Sequence, residues 1–336
     1  MTIEDLLADV AELLPGAVMV DDLTNSGRAA LARVALDGET YVAKRNETSE
    51  RFRNEVEALR TLPASVRPGL VAVGPHTVVM EDLGPGDSLA DVLLADDPAR
   101  ARGALTLWAT TLGAALRPTL SDGARPERLN LDAEVAVFMK FVRELGCDAD
   151  IDGDVRAIED TLSAPTPWFA FGPSDACPDN NRLMADGTMR LFDFEGAAWR
   201  HAASEAAYTR APFCTCWCVA ALPDGVTAGM EDAFLAALDP PDTDAFRADV
   251  DAAVVAYVIQ MARVFAWLTD SDYPMAPEGF VAPTHGRQYV HGRLVMAAGY
   301  AERYPALGAL ASAAAAAMRE RWPECTPLPL YPAFRQ

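Results

Sequence analysis

The sequence predicts an α+β fold in two lobes: a small β-rich N-terminal lobe over residues 1–82 and a larger, mostly helical C-terminal lobe over 83–336. Three observations carry this. Short strand-like runs joined by tight-turn residues crowd the first part. Apolar residues at helical spacing dominate the rest. One strand–loop–strand interruption, over roughly 167–195, breaks the helical part.

The elements follow in order. Residues 3–14 have a helical apolar period that Pro15-Gly16 ends. Leu31–Leu36 and Thr40–Ala43 flank Asp37-Gly38, a strong two-residue hairpin signal. Thr48–Leu62 reads as a helix with Thr48 or Ser49 as cap, and Phe52, Val56, Leu59 and Leu62 share a face. Gly69–Val73 and Thr77–Met80 read as strands turning at Gly74-Pro75. Ser88 is placed to cap a helix over Leu89–Leu94, with Asp91 in the reciprocal capping position. Further helices are expected near 98–117, 132–146 and 153–163, and over most of 203–335, where Pro223-Asp224-Gly225, Pro240-Pro241 and Pro274–Pro277 punctuate the pattern.

Composition narrows the function classes. The 336 residues hold 28 Lys+Arg against 49 Asp+Glu, a formal charge of −21. Such a surface repels nucleic-acid phosphates and anionic membranes, so neither partner is expected. It suits a cationic ligand, and it is equally what a solubility-driven surface carries. The N-terminus Met1-Thr2-Ile3-Glu4-Asp5 lacks a basic region followed by a long apolar stretch, so a cytoplasmic chain without a signal peptide is expected. The Ala-rich run Ala309–Met318 leads directly into Arg319-Glu320-Arg321 and reads as a helix rather than a membrane span. Six cysteines are expected to be reduced. Cys214-x-Cys216-x-Cys218 invites a metal reading, but paired CxxC spacing is absent and the neighbourhood is apolar, so buried structural thiols are preferred.

Three segments carry chemistry together. Tyr41-Val42-Ala43-Lys44 puts a Lys at the end of an apolar strand, and Glu55 follows eleven residues later on a helix. A strand Lys paired with a helix Glu can hold nucleotide phosphates. Glu57 is the alternative partner, and Glu55 is preferred for its register ahead of Ala58-Leu59. Next, Asp175-Ala176-Cys177-Pro178-Asp179-Asn180 offers a carboxylate to orient an attacking hydroxyl and a hard oxygen ligand for magnesium. Taken alone it is also a good turn. Finally, Met189-Arg190-Leu191-Phe192-Asp193-Phe194-Glu195 ends an apolar strand in a carboxylate, thirteen residues after Asn180. Asp186-Gly187 between these segments predicts a hairpin that returns Asp193 beside Asn180.

With these residues in view, the chain resembles the aminoglycoside-phosphotransferase and choline-kinase-like small-molecule kinases of the protein-kinase-like fold. That family runs His-Gly-Asp-x-x-x-x-Asn, then a hairpin, then Asp-Phe/Trp-Glu, and both spacings recur here. Val78–Leu83 resembles the family's hinge and Arg53–Arg60 its Glu-bearing helix. The resemblance covers most of 20–210. It implies an ATP- and Mg2+-dependent phosphotransferase that moves the γ-phosphoryl group to a hydroxyl of a small molecule such as an aminoglycoside, amino sugar or amino alcohol. Asp175 would be the catalytic base, and Asn180 and Asp193 the magnesium ligands. Lys44 would bind the nucleotide phosphates, Glu55 would position Lys44, and the backbone from Glu81 to Leu83 would meet the adenine. Glu205 falls where the family braces its catalytic loop with an Asp.

The chain departs from the pattern at Pro173-Ser174, which replaces the His-Gly before the catalytic Asp. This leaves a second reading open, a catalytically impaired pseudokinase that binds a nucleotide or ligand. The covering loop Thr24-Asn25-Ser26-Gly27-Arg28 carries one Gly. On the acceptor side, Asp239, Asp242, Asp244, Asp249, Asp251, Asp270 and Asp272 either line an acidic pocket or form a solvated face. Trp199, Trp217, Trp267, Tyr273 and Tyr289 read as core before they read as a ring-binding pocket.

Overall fold

The computed structural model describes residues 2–24, 29–121, 128–211, 213, 216–274 and 285–335. Residues 25–28 of the covering loop, Cys214, and residues 275–277 of the Pro274–Pro277 break lie outside the described residues.

The N-terminal part begins with α1 (Ile3–Leu13) and continues through β1 (Val18–Asp22), β2 (Ala29–Leu36), β3 (Glu39–Asn46), α2 (Ser49–Thr61), β4 (Leu70–Val73) and β5 (Thr77–Glu81). The five strands form one antiparallel sheet in the order β1-β2-β3-β5-β4. Asp37 and Gly38 both have positive φ, 54° and 87°, as the two-residue turn between β2 and β3 requires. Strand alternation then sorts the side chains. Ala30, Ala32, Val34, Ala43 and Val79 pack with Leu6 and Val10 of α1 in a small core. Leu31, Arg33, Val42, Lys44 and Met80 line a cleft on the opposite face. The turn register therefore puts Lys44 into the cleft. The Thr48 hydroxyl caps α2, accepting from the Arg51 N–H at 3.2 Å. Val56 and Leu59 of α2, and Leu62 that caps its C-terminus, are buried in the large core that continues into the rest of the chain.

That remainder contains α3 (Leu89–Leu94), α4 (Pro98–Leu116), α5 (Asp132–Glu144), α6 (Asp152–Ser163), β6 (Phe169–Gly172), β7 (Asn181–Leu183), β8 (Met189–Leu191), β9 (Ala198–His201), α7 (Ala203–Arg210), α8 (Val226–Leu238), α9 (Thr243–Ser271), α10 (Gly286–Ala298) and α11 (Pro305–Arg321). Both halves of the reciprocal cap form at α3, between Ser88 and Asp91. By length and composition α9 is apolar enough to cross a membrane. Here it is a central core helix: Val250, Val254, Val258, Ile259 and Phe265 are buried, and α5, α6, α7 and α10 pack around it.

Two small antiparallel pairs interrupt the helices. β7 and β8 form the expected hairpin, and β6 pairs with β9. β9 lies just beyond the 167–195 section read from the sequence. Its partner β6 is distant in the chain, so no local turn signal announces the pairing.

Candidate active site

The strand pairs converge on one cleft of about 480 Å³ between the sheet and the helical part. β6 delivers Pro173-Ser174-Asp175 to its floor. The β7–β8 hairpin brings Asn180 and Asp193 together, with the Phe192 N–H donating to the Asn180 carbonyl at 3.1 Å. Lys44 and Glu55 arrive from the sheet and from α2. Lys44, Glu55, Glu81, Leu83, Asp175, Asn180 and Asp193 all line the cleft.

The Lys44 ammonium is the hub. Its Nζ lies 2.5 Å from Glu55 Oε2, 2.5 Å from Asp193 Oδ1 and 3.9 Å from Glu195 Oε2. Burial disfavours the charged amine, but Glu55 and Asp193 outweigh it and hold its pKa above the ordinary value. Burial raises the pKa of Glu55, opposed by Lys44. The choice between Glu55 and Glu57 is settled by geometry. Glu55 is fully buried against Lys44 and its Oε1 also accepts the Phe194 N–H at 3.3 Å. Glu57 instead accepts from the Trp199 indole N–H at 3.1 Å. The Asn54 amide donates to the Glu195 carbonyl at 3.0 Å. So α2 is tied to the Asp193–Glu195 turn through both side chains and backbone. Asp193 itself has φ of 65°, a left-handed conformation that Asp tolerates better than most residues.

Across the cleft, Asp175 follows a tight turn. Its N–H donates to the Pro173 carbonyl at 2.9 Å, and Ser174 between them has φ of 75°. This is the strained form of a three-residue turn. The Cys177 thiol donates to Asp175 Oδ1 at 3.0 Å, and the Tyr208 hydroxyl lies 3.4 Å from the same oxygen. The Asn180 amide N–H donates to the Asp175 carbonyl at 2.9 Å, which leaves its Oδ1 as the atom suited to a cation.

Several residues brace this loop. Glu205 Oε1 accepts the Ser174 N–H at 2.8 Å. The Trp108 indole donates to the Ala176 carbonyl at 3.0 Å. Fully buried Asn181 donates to the Cys177 and Pro178 carbonyls at 3.2 and 2.9 Å and accepts the Leu89 N–H at 2.8 Å. Glu205 runs so close beneath β6 that a Cβ on Gly172 would lie 2.8 Å from its carboxyl carbon, so glycine is needed there. Burial raises the pKa of Glu205, opposed by Arg200 and the Ser174 N–H. Trp108 and Asn181 carried no motif in the sequence, and Glu205 was read as a brace only through the family resemblance.

At the mouth of the cleft, the Glu81 N–H is already committed to the Gly69 carbonyl at 2.8 Å. Its own carbonyl and the backbone of Leu83 are what remain for a planar ligand. Leu23, Ala29, Leu31, Val42 and Met80 form an apolar slot beside them, and Arg33 closes its edge by pairing with Asp82 at 2.6 Å.

The structure closes one open alternative and corrects one expectation. None of the seven C-terminal aspartates lines the cleft. Asp242 caps α9, and Asp239 and Asp251 pair with arginines. Asp249 accepts from the Trp168 indole at 2.9 Å beside buried His201. The carboxylates that line the cleft are instead Glu55, Glu81, Asp82, Asp175, Asp179, Asp193 and Glu195. The aromatic set is not core either: Trp199, Trp217, Trp267 and Tyr273 are exposed, and only Tyr289 of the five is buried. Trp217 lines the cleft and donates to Asp179 Oδ2 at 2.9 Å.

The sequence matches no protein-family profile and no curated protein. Solved structures do match. A choline kinase from Cryptosporidium parvum covers 93% of this chain and all of its own at 11% identity and a TM-score of 0.54. A choline/ethanolamine kinase family protein from Mesorhizobium loti covers 95% of this chain and all of its own at 15% identity and 0.54. A candidate aminoglycoside phosphotransferase from Ralstonia eutropha covers 95% and 98% at 13% identity and 0.52. The chain thus has the bilobal α+β protein-kinase-like fold of these structures, as the motif spacing led us to expect.

Proposed function

We propose that this protein is an ATP- and Mg2+-dependent phosphotransferase that moves the γ-phosphoryl group to a hydroxyl of a small molecule, with the lobes dividing between residues 82 and 83. One observation carries the reading. A buried Lys44, held by Glu55, reaches Asp193 at the inner end of a cleft whose opposite wall presents Asp175 and Asn180.

The cleft fits the groups this chemistry needs. Its apolar slot suits a purine, with the Glu81 carbonyl and the Leu83 backbone at its edge. Asn180 Oδ1 and the Asp193 carboxylate are hard oxygen donors of the kind magnesium prefers. Bound there with ATP, Mg2+ would neutralise charge spread over the phosphates. Lys44 would exchange part of its contact with Asp193 for the α- and β-phosphates. Asp175 would orient the acceptor hydroxyl and take its proton as the oxygen bonds to the γ-phosphorus, while the bond from that phosphorus to its bridging oxygen breaks and ADP leaves. Positioning and charge neutralisation supply most of the rate in such transfers. Asp175 and Asp179, both lining the cleft, favour an acceptor carrying an amine, and a cytoplasmic site of action is consistent with an ATP requirement.

The test is to incubate the protein with ATP, Mg2+ and a panel of aminoglycosides, sugars and amino alcohols. One acceptor should gain the mass of a single phosphoryl group. Asp175→Asn should slow that transfer by about 10²–10⁴-fold with ATP binding retained. Transfer undiminished in the variant removes Asp175 from its role. ATP binding with no acceptor modified would favour a nucleotide-binding pseudokinase, and no ATP binding would end the kinase reading.

A further inference from the structure

We propose that Cys177, Asp179 and Cys216 form a binding site for a borderline divalent cation of the Zn2+ type, distinct from the Asn180/Asp193 pair. The two thiol sulfurs and one Asp179 carboxylate oxygen all lie within 4.8 Å of one another. Cys216 Sγ is 3.7 Å from Asp179 Oδ1. A tetrahedral ion with metal–sulfur bonds of about 2.3 Å needs donors roughly 3.8 Å apart, so the cluster is near that size before any ion enters.

Two further features point the same way. The Trp217 indole N–H holds Asp179 Oδ2 at 2.9 Å, which turns Oδ1 toward Cys216. Hydrogen bonds of this kind orient carboxylate ligands in metal sites. Cys218 Sγ lies 3.2 Å from Cys216 Sγ, so a further thiol borders the cluster. Cys177, Cys216 and Cys218 are all buried, in a protein whose surface is strongly acidic.

Donor chemistry separates this site from the magnesium pair. Thiolates select Zn2+ and related ions, whereas Mg2+ keeps oxygen ligands and water. Binding releases the Cys177 and Cys216 thiol protons to solvent, so two thiolates and one carboxylate face the two positive charges of the ion. The sequence alone points elsewhere, because the visible motif is Cys214-x-Cys216-x-Cys218. The partner that the fold supplies, Cys177, sits inside the catalytic loop. An occupied site therefore links the Asp175–Asn180 loop to the 216–218 segment.

The experiment uses full-length, fully reduced protein with Co2+ as probe in excess Mg2+ and no nucleotide. One equivalent should bind, giving thiolate-to-cobalt charge-transfer absorption and the visible bands of a tetrahedral ion, and Zn2+ should displace it. Cys216→Ser, which removes one of the two thiolates, should weaken the charge-transfer band and the binding, and the Cys177→Ser, Cys216→Ser double variant should abolish the band. Trp217→Phe should weaken binding about tenfold by freeing the carboxylate. Cys147→Ser, at a half-buried thiol outside the cluster, should change nothing. Absence of the charge-transfer band in the unmodified protein overturns the proposal, and that result does not depend on any variant folding. An unchanged spectrum in a Cys177→Ser, Cys216→Ser double variant overturns it too. With no nucleotide in the assay, failure here is separate from failure of the kinase reading.

Discussion

The two walls of the cleft are held by different physics. On the sheet side, Lys44, Glu55, Asp193 and Glu195 form a compact ion network in which one buried ammonium meets several carboxylates. On the floor, Asp175 is held by a strained turn, two thiol- and phenol-based contacts and a buried carboxylate with little compensation. Charge pairing fixes the first wall. Backbone geometry and packing fix the second. The lesson is that an ammonium can be fixed by opposite charge, whereas a carboxylate exposed to the cleft, as Asp175 is, must be held by groups that leave it uncompensated.

Breaking the ion network should have the largest effect. Lys44→Met strands Glu55, which is fully buried, and should cost about 3–5 kcal/mol of stability in urea denaturation near neutral pH. The stranded carboxyl can escape by protonating. Glu55 then binds a proton in the folded variant at pH values where the unfolded chain does not, so the deficit should shrink as pH falls. Glu55→Gln should cost less, because Lys44 keeps Asp193 and Glu195. Equal losses in the two variants would show that packing rather than charge holds this wall.

The floor makes a prediction of opposite sign. Ser174 and Asp193 are both left-handed, at φ of 75° and 65°. At Asp193 the strain aims a side chain into the cleft. At Ser174 it serves only the turn, since the bond to Glu205 uses the backbone N–H. The left-handed region costs an L-residue roughly 1–2 kcal/mol, and glycine's greater unfolded-state freedom returns part of that. Ser174→Gly should therefore raise stability by about 0.5–1 kcal/mol, measured by thermal or urea unfolding. Ser174→Val, β-branched, should lower it.

How much of this was legible in the sequence follows the same division. Lys44 was readable because a hairpin turn fixes the strand register and alternation does the rest. Asp193 was readable because Asp186-Gly187 returns its strand beside Asn180. Glu55 was separable from Glu57 because two residues rotate a helix position by about 200°. The bracing of the floor was not readable, for Trp108, Asn181 and Cys216 approach the loop from segments far apart in sequence, and contacts of that kind leave no local period. The role of the C-terminal aspartates stayed open in the sequence for a related reason. Composition showed a carboxylate-rich region, but a cap such as Asp242 and an ion pair such as Asp251 with Arg210 look the same in sequence as an acidic pocket.

The smallest effect concerns Glu205, where the two walls differ most sharply. Glu55 is buried with a cation. Glu205 is equally buried, yet Arg200 comes no nearer than 4.0 Å and Oε2 has no hydrogen-bond partner. Burial therefore raises its pKa above the ordinary carboxyl value of 4.5. A raised carboxyl pKa means that the folded state binds more protons than the unfolded chain above that ordinary value. Stability from this group is then present at low pH and is lost as pH rises from about 4.5 through the folded pKa. Glu205→Gln keeps an oxygen for the Ser174 N–H and removes the buried charge. The variant should show a flatter dependence of stability on pH above 4.5 than the parent, and should match or exceed it near neutrality. The measurement is a set of urea midpoints across that range. A steeper slope in the variant would mean that the carboxylate is paired after all, and that the floor, like the sheet wall, is held by charge.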